Sequence, residues 1–445
     1  MTEHMQSSSD SGRRYDIDWL RVILFGLLIW FHYAVFSLEQ LSDSEMELFN
    51  LPLYFIITVM HQWRLAALFI ISGMGTAFAF RRRTWKTYVN ERFVRLGLPL
   101  LFGTYILWFG IFNPIETTFR LFTIFPGSED MPYGHLWFIY NLLIYSILMT
   151  PLFSYVRNNP KGKLVRFIRS VMSIRYGLGI LFLPPIILSI NGILFKPWEF
   201  GEVGMWWEFP RYLLYFLFGF LMISAKEEFF TIIDKIRIPI TIFTPLLAVI
   251  WFLTLEEFGI PNVMDGGWMK HQSCISGFNQ FEHSCTAFSI QATLAALIQS
   301  FHAWFWCLFI FSWASKLLNR PSKWLVYLNE AVYPTYIVHM HLTFLPITIF
   351  GIIGAGYYIG LTLGTIFVMF AVMICFEISR RTVWARPVFG IKGGFSEVEK
   401  LFPYNMIEDS SGKIIISVIF HMITFFMIIG LWAFIVGAGV LGGAL

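Results

Sequence analysis

The chain has 445 residues, 57% hydrophobic and only 13% charged, with a net charge of +4. Soluble domains carry about 25% charged residues, so this composition excludes an ordinary water-soluble enzyme and predicts an all-α, polytopic membrane bundle. The basic residues fall in short segments between apolar runs, which excludes a nucleic-acid surface.

Residues 1–14 are polar and serine-rich, without the charged n-region and cleavage site of a signal peptide, and read as a disordered cytoplasmic tail. Arg14 to Phe36, RYDIDWLRVILFGLLIWFHYAVF, follows as an apolar helix whose polar exceptions are Asp16, Asp18 and Arg21 near one end and His32 well inside. At 1.5 Å per residue, the eleven steps from Arg21 put His32 roughly 16 Å deeper, about half of a ~30 Å hydrocarbon core. An ionisable ring at that depth is expensive and marks a functional site by default. The plainer alternative is a hydrogen bond to a neighbouring helix.

Windows of about twenty apolar residues predict eleven spans, near 18–38, 62–80, 96–113, 135–156, 176–195, 209–225, 239–255, 285–313, 329–349, 357–378 and 414–442. Residues 51–61, LPLYFIITVMH, are also apolar, so the second span is either a longer helix or one preceded by an interfacial segment. Alternate inter-span segments hold 26 of the 32 Lys and Arg. That asymmetry predicts a cytoplasmic N-terminus and an external C-terminus. The external segment near 256–284 carries Trp268 and polar groups that suit either carbohydrate contact or an ordinary capped loop. Cys274 and Cys285 are a candidate disulfide there, while Cys307 and Cys375 fall within apolar spans. Gly439 and Gly443 in the last span have GxxxG spacing, which suits close helix packing or a homodimer.

Several polar residues are candidates for chemistry. Arg64, in HQWRLAALFIISG, enters the outer part of a span and needs a partner or a polar cavity. Ser72 and Gly73 form a small pair at mid-depth that permits close approach of a helix or a ligand. Arg81, Arg82, Arg83 and Lys86 serve as positive-inside anchors, whereas Arg92 and Arg95 share a helical face at the membrane surface. Two guanidiniums so placed suit phosphates held bidentately or anionic lipid headgroups. In YGHLWF, at the outer end of a span, Trp137 suits an aromatic belt, whereas His135 is a candidate lining of an outer cavity. His339 lies at a depth close to that of His32, with His341 about 200° further round the helix. Glu377 sits at the inner end of a span, within helical reach of Arg380 and Arg381. No HExxH, CxxC, Walker or GxSxG pattern is present, so neither metal nor nucleotide hydrolysis is expected.

Arg21 and His32 separated by ten residues, the preceding Asp18, LFIISG at 68–73 and RFVR at 92–95 resemble the integral-membrane acyltransferase family 3. HQWR at 61–64, GHLWF at 134–138, YIVH at 336–339 and FEI at 376–378 continue the likeness to about residue 395, leaving 396–445 as a linker and an additional helix beyond ten family-like spans. The resemblance implies transfer of an acyl group from cytoplasmic acyl-CoA to a hydroxyl, often of a glycan, at the outer face of the bacterial inner membrane. His32 would be the general base, with Arg21 and Asp18 in its surroundings. Arg92 and Arg95 would hold the CoA phosphates, and Arg64, Ser72, His135, Trp137, His339 and Glu377 would be substrate-binding candidates. Alternatives from the residues themselves are acylation of a lipid or small secreted metabolite, or transport of an amphiphilic or anionic solute through Arg21 and Arg64. One departure stands out: Met340 separates His339 from His341 where the family has adjacent histidines.

Overall fold

The computed structural model describes residues 13–38, 51–81, 83–108, 112–123, 133–195, 208–257, 290–354, 356–382 and 385–391, and these form helices and turns with no strand among them. In chain order the helices are α1 (Tyr15–Leu38), α2 (Leu51–Phe80), α3 (Trp85–Arg92), α4 (Leu98–Phe102), α5 (Pro114–Thr123), α6 (Trp137–Leu148), α7 (Thr150–Asn158) and α8 (Lys163–Met172). They continue as α9 (Leu178–Phe195), α10 (Glu208–Ser224), α11 (Lys226–Lys235), α12 (Arg237–Glu257), α13 (Ile290–Leu317), α14 (Lys323–Ile352), α15 (Tyr357–Arg381) and α16 (Ala385–Val388).

Among the described residues six helices are long and apolar enough to cross a membrane, and the number rises to eight if each of two bent pairs is one span. The expected eleven spans are therefore met only in part, for identifiable reasons. The segment predicted as 96–113 is interrupted by π-helical turns at Phe93–Gly97 and Gly103–Leu107. The region 135–156 bends by 49° between α6 and α7, where Pro151 opens the new helix. A 70° bend separates α11 from α12. The apolar part of α10, Phe209–Ser224, is short for a full crossing. The last predicted span at 414–442, its Gly439 and Gly443, and Cys274 and Cys285 lie outside the described residues. Residues 51–61 belong to α2, which runs unbroken for 30 residues.

Helices α1 and α2 run antiparallel, and their register follows from two contacts. A side chain at Gly75 would come within 3.2 Å of Arg21 Nη2, while the Arg64 guanidinium covers the Phe31 ring at 3.6 Å. His32 therefore stands level with Arg64. On its other faces α2 packs against α10 and α13. Gly73 and Gly219 make the α2–α10 crossing close: a Cβ at Gly73 would overlap the Phe216 carbonyl, and one at Gly219 the Ile70 carbonyl. Phe69, fully buried, fills the core beside this crossing, 4.7 Å from the rings of both Phe138 and Tyr212. Helix α14 packs between α1 and α15. Tyr33 ties α1 to α15 by donating to the Gly360 carbonyl at 2.9 Å.

Candidate active site

Arginines gather at one end of the bundle, called here the basic end. Arg21 donates to Asn329 Oδ1 of α14 at 3.1 Å and pairs with Asp18 at 3.5 Å, while Arg13 pairs with Asp18 at 3.2 Å. Arg92 covers Tyr88 at 4.8 Å, and Arg95 lies 5.9 Å from the Tyr333 ring centre with its Nε unpartnered. The charges of Arg21 and Arg92 both reach Arg95. Three guanidiniums on α1, α3 and the first π turn thus converge, which favours binding of an anion.

The π turns help explain how the third segment delivers its arginines. Pro99 has no N–H to offer a carbonyl one α-turn back. Leu98 N–H bonds the Phe93 carbonyl five residues back, and Trp108 N–H bonds that of Gly103 in the same way at 2.8 Å. Such π turns occur frequently at functional sites. Trp108 caps the second π turn, and the Leu107 carbonyl accepts from His341 Nε2 at 3.2 Å. Away from water, a backbone carbonyl needs such a donor.

At mid-depth the histidines form a chain. His339, fully buried in α14, has Nδ1 2.6 Å from the Tyr336 carbonyl. A carbonyl only accepts, so Nδ1 carries the hydrogen, and in the neutral ring Nε2 is an acceptor. His32 Nδ1 lies 2.8 Å from that Nε2 and therefore donates to it. The lone pair of His32 is left on Nε2, and the residue keeps partial exposure. The two rings stack at 5.1 Å. His135, 8% exposed, stands edge-on to His339 at 5.1 Å. A 3₁₀ turn that begins at Gly134, with φ of +46°, presents it. Its Nε2 donates to the Ile337 carbonyl at 3.1 Å, and its own carbonyl accepts from Tyr336 Oη. Trp108 packs against both His135 and His341.

Arg64 and His61 border this chain from α2. Arg64 is 1% exposed, and its Nε and Nη1 have no hydrogen-bond partner. His61 stacks on Phe31 at 5.7 Å.

The predicted residues therefore separate into groups. His32, His339, His135 and Arg64 come together at the centre. Arg21, Asp18, Arg92 and Arg95 gather at the basic end, and Asp18 and Arg21 do not approach His32. Ser72 bonds its own helix at the Leu68 carbonyl, 2.8 Å away, on the α2 face shared with Arg64. Trp137 is 8% exposed and packs against Tyr212 and Phe69, at 5.5 and 6.3 Å. Glu377 pairs with Arg380 at 3.3 Å and Arg381 at 2.9 Å. Sequence reasoning missed Asn329, Trp108 and the Tyr336 carbonyl. Tyr336 falls about one turn and Asn329 nearly three turns before His339 on the same helix, which is the signal that could have found them.

The profile of the Acyl_transf_3 family, described as an acyltransferase domain, matches residues 14–376. The chain is also similar to Glucans biosynthesis protein C of Escherichia coli O1:K1 / APEC, O45:K1 (strain S88 / ExPEC) and strain UTI89 / UPEC. Each is 23% identical over 396 residues, 83% of this chain and 92% of the relative. No solved structure matches. The profile spans the basic end, the histidine chain and Arg64 alike, and on that coverage the chain belongs to the integral-membrane acyltransferase family 3.

Proposed function

We propose that the protein moves an acyl group, such as acetyl or succinyl, from cytoplasmic acyl-CoA to a hydroxyl of an extracytoplasmic glycan, with His32 as the general base. The observation that carries this reading is the free Nε2 lone pair of His32, held by a neutral imidazole partner at 2.8 Å and level with the bundle centre. The charge pattern of the sequence supports a cytoplasmic basic end, and the relatives' name supports a glucan-like acceptor.

In this reading Arg21, Arg92 and Arg95 hold the CoA phosphates. The thioester then reaches His32 through the extended pantetheine arm, which suits the roughly 16 Å rise between Arg21 and His32. The acceptor hydroxyl arrives from the opposite end, past Trp108 and His135. His32 Nε2 takes the hydroxyl proton as the oxygen attacks the thioester carbon. When the tetrahedral intermediate collapses, the carbon–sulfur bond breaks and the thiolate takes the proton from His32. Ester and free CoA leave with no net proton change. His339 acts by holding His32 in the tautomer that exposes Nε2, as the orienting member of a triad does.

The test uses the full chain in liposomes, acyl-CoA inside and the cell's own envelope oligosaccharide fraction outside, with mass spectrometry of the oligosaccharides. His32→Ala is expected to lose about 10²- to 10⁴-fold of the transfer rate. Near-normal transfer by a folded His32→Ala protein would overturn the assignment.

A further inference from the structure

Arg64 has a chemical problem that the fold leaves unsolved. The residue is 1% exposed, and two of its guanidinium nitrogens lack any hydrogen-bond partner. Burial of an unpaired cation costs several kcal/mol. A carboxylate answers this need for another buried arginine: Glu330 pairs with Arg386, whose side chain is 3% exposed. Among the described residues Arg64 takes part in no ion pair. One of its faces is covered by Phe31, which leaves the N–H edges as its binding surface.

The position of this edge is informative. The α1–α2 register places Arg64 level with His32, and its charge reaches His32, His339 and His61. A cation that waits unpaired beside a base suits negative charge that exists only during the reaction. Preorganised donors of this kind act most strongly in a dry site.

Resting on the acyl-transfer reading above, we infer that Arg64 is a catalytic residue that binds the oxyanion of the tetrahedral intermediate. As the hydroxyl oxygen bonds to the thioester carbon, the carbonyl electron pair moves onto its oxygen, and Arg64 N–H groups receive that oxygen. Reforming the carbonyl expels the CoA thiolate, which takes the proton from His32, and the guanidinium returns to its unpaired state. The phenyl ring of Phe31 holds the guanidinium plane in place throughout.

The experiment measures kcat and KM for the full chain in liposomes with the envelope oligosaccharide fraction. Two donors are compared, acetyl-CoA and succinyl-CoA, of which only the second ends in a carboxylate. Arg64→Gln is expected to lower kcat by about 10²- to 10³-fold with either donor, at an unchanged KM for acyl-CoA. Arg64→Ala should regain part of its kcat when guanidinium ion is added at low millimolar concentration, a rescue that a merely structural role does not give. Melting in detergent checks assembly, and Arg64→Lys, with a partial loss of kcat, serves in place of any variant that fails to assemble. Wild-type kcat in Arg64→Gln, or a loss confined to succinyl-CoA, overturns the oxyanion role while leaving His32 untouched. If the wild type fails to consume either acyl-CoA, the acyl-transfer reading itself falls, and this inference with it.

Discussion

Replacement of His339 tests whether the stacked imidazoles work as a unit. The perturbation is His339→Leu, which fills the same space without an acceptor for His32 Nδ1–H, now 2.8 Å from His339 Nε2. His32 would then hold a buried N–H with no partner, at a cost of about 1–3 kcal/mol. The ring can escape that cost by turning or by moving its hydrogen to the other nitrogen, and either move removes the basic lone pair from the acceptor. With one decade of rate per 1.36 kcal/mol, kcat falls roughly 5- to 150-fold. KM for acyl-CoA stays put, because the arginines proposed to hold its phosphates lie at the basic end. His339→Gln should recover most of the loss, since its amide oxygen offers His32 the same acceptor. The assay is initial-rate transfer in liposomes, with kcat and KM determined separately for the three proteins. An unchanged kcat in His339→Leu, a loss that appears only in KM, or a glutamine no better than leucine would refute the orienting role.

Gly73→Ala should impair assembly, because its Cβ meets the Phe216 backbone, which cannot turn away as a side chain can. The expected loss exceeds the 1–3 kcal/mol typical of overpacking and is read as a lowered melting temperature in detergent. Gly75→Ala, two residues on, meets only the end of the Arg21 side chain at 3.2 Å; it should melt like the wild type and raise KM for acyl-CoA instead. Arg92→Gln and Arg95→Gln should each raise KM for acyl-CoA several-fold with little change in kcat, and isothermal titration with CoA should show weaker binding.

Much of this arrangement could be read before the fold was known, because membrane depth is nearly linear in sequence. Counting along α1 gave the separation of Arg21 from His32, and the apolar setting of Arg64 already demanded a partner. Helical spacing also suggested that Glu377 would meet Arg380 and Arg381. What escaped notice depends on contacts across long separations. Nothing in the YIVH run says that His339 will meet His32, 307 residues away, since periodicity reports which faces are apolar and not which helix covers them. The π turns were hidden for a different reason: hydropathy is blind to backbone phase, so 96–113 looked continuous. Trp137 reads from its place at a span end as an aromatic-belt residue, and its packing against Phe69 of α2 and Tyr212 of α10 is again a long-range contact.

The two π turns also bear on how this segment tolerates insertions and deletions. A π turn corresponds to an α-helix that has gained one residue, and each residue of helix turns the chain by about 100°. Removal of one residue from Phe93–Gly97 would take the extra residue out of that turn and restore the α-helical phase, with Pro99 still lacking a donor there. Everything before it would then be rotated by about 100° against everything after it, so Arg92 would swing out of step with Trp108 even though no side chain had changed. A deletion in the second turn, Gly103–Leu107, would instead keep both arginines in phase with each other and turn only the Trp108 end. The segment thus has two separate points of phase adjustment, one for each end of the site. Length changes here would retune one end of the site while sparing the other.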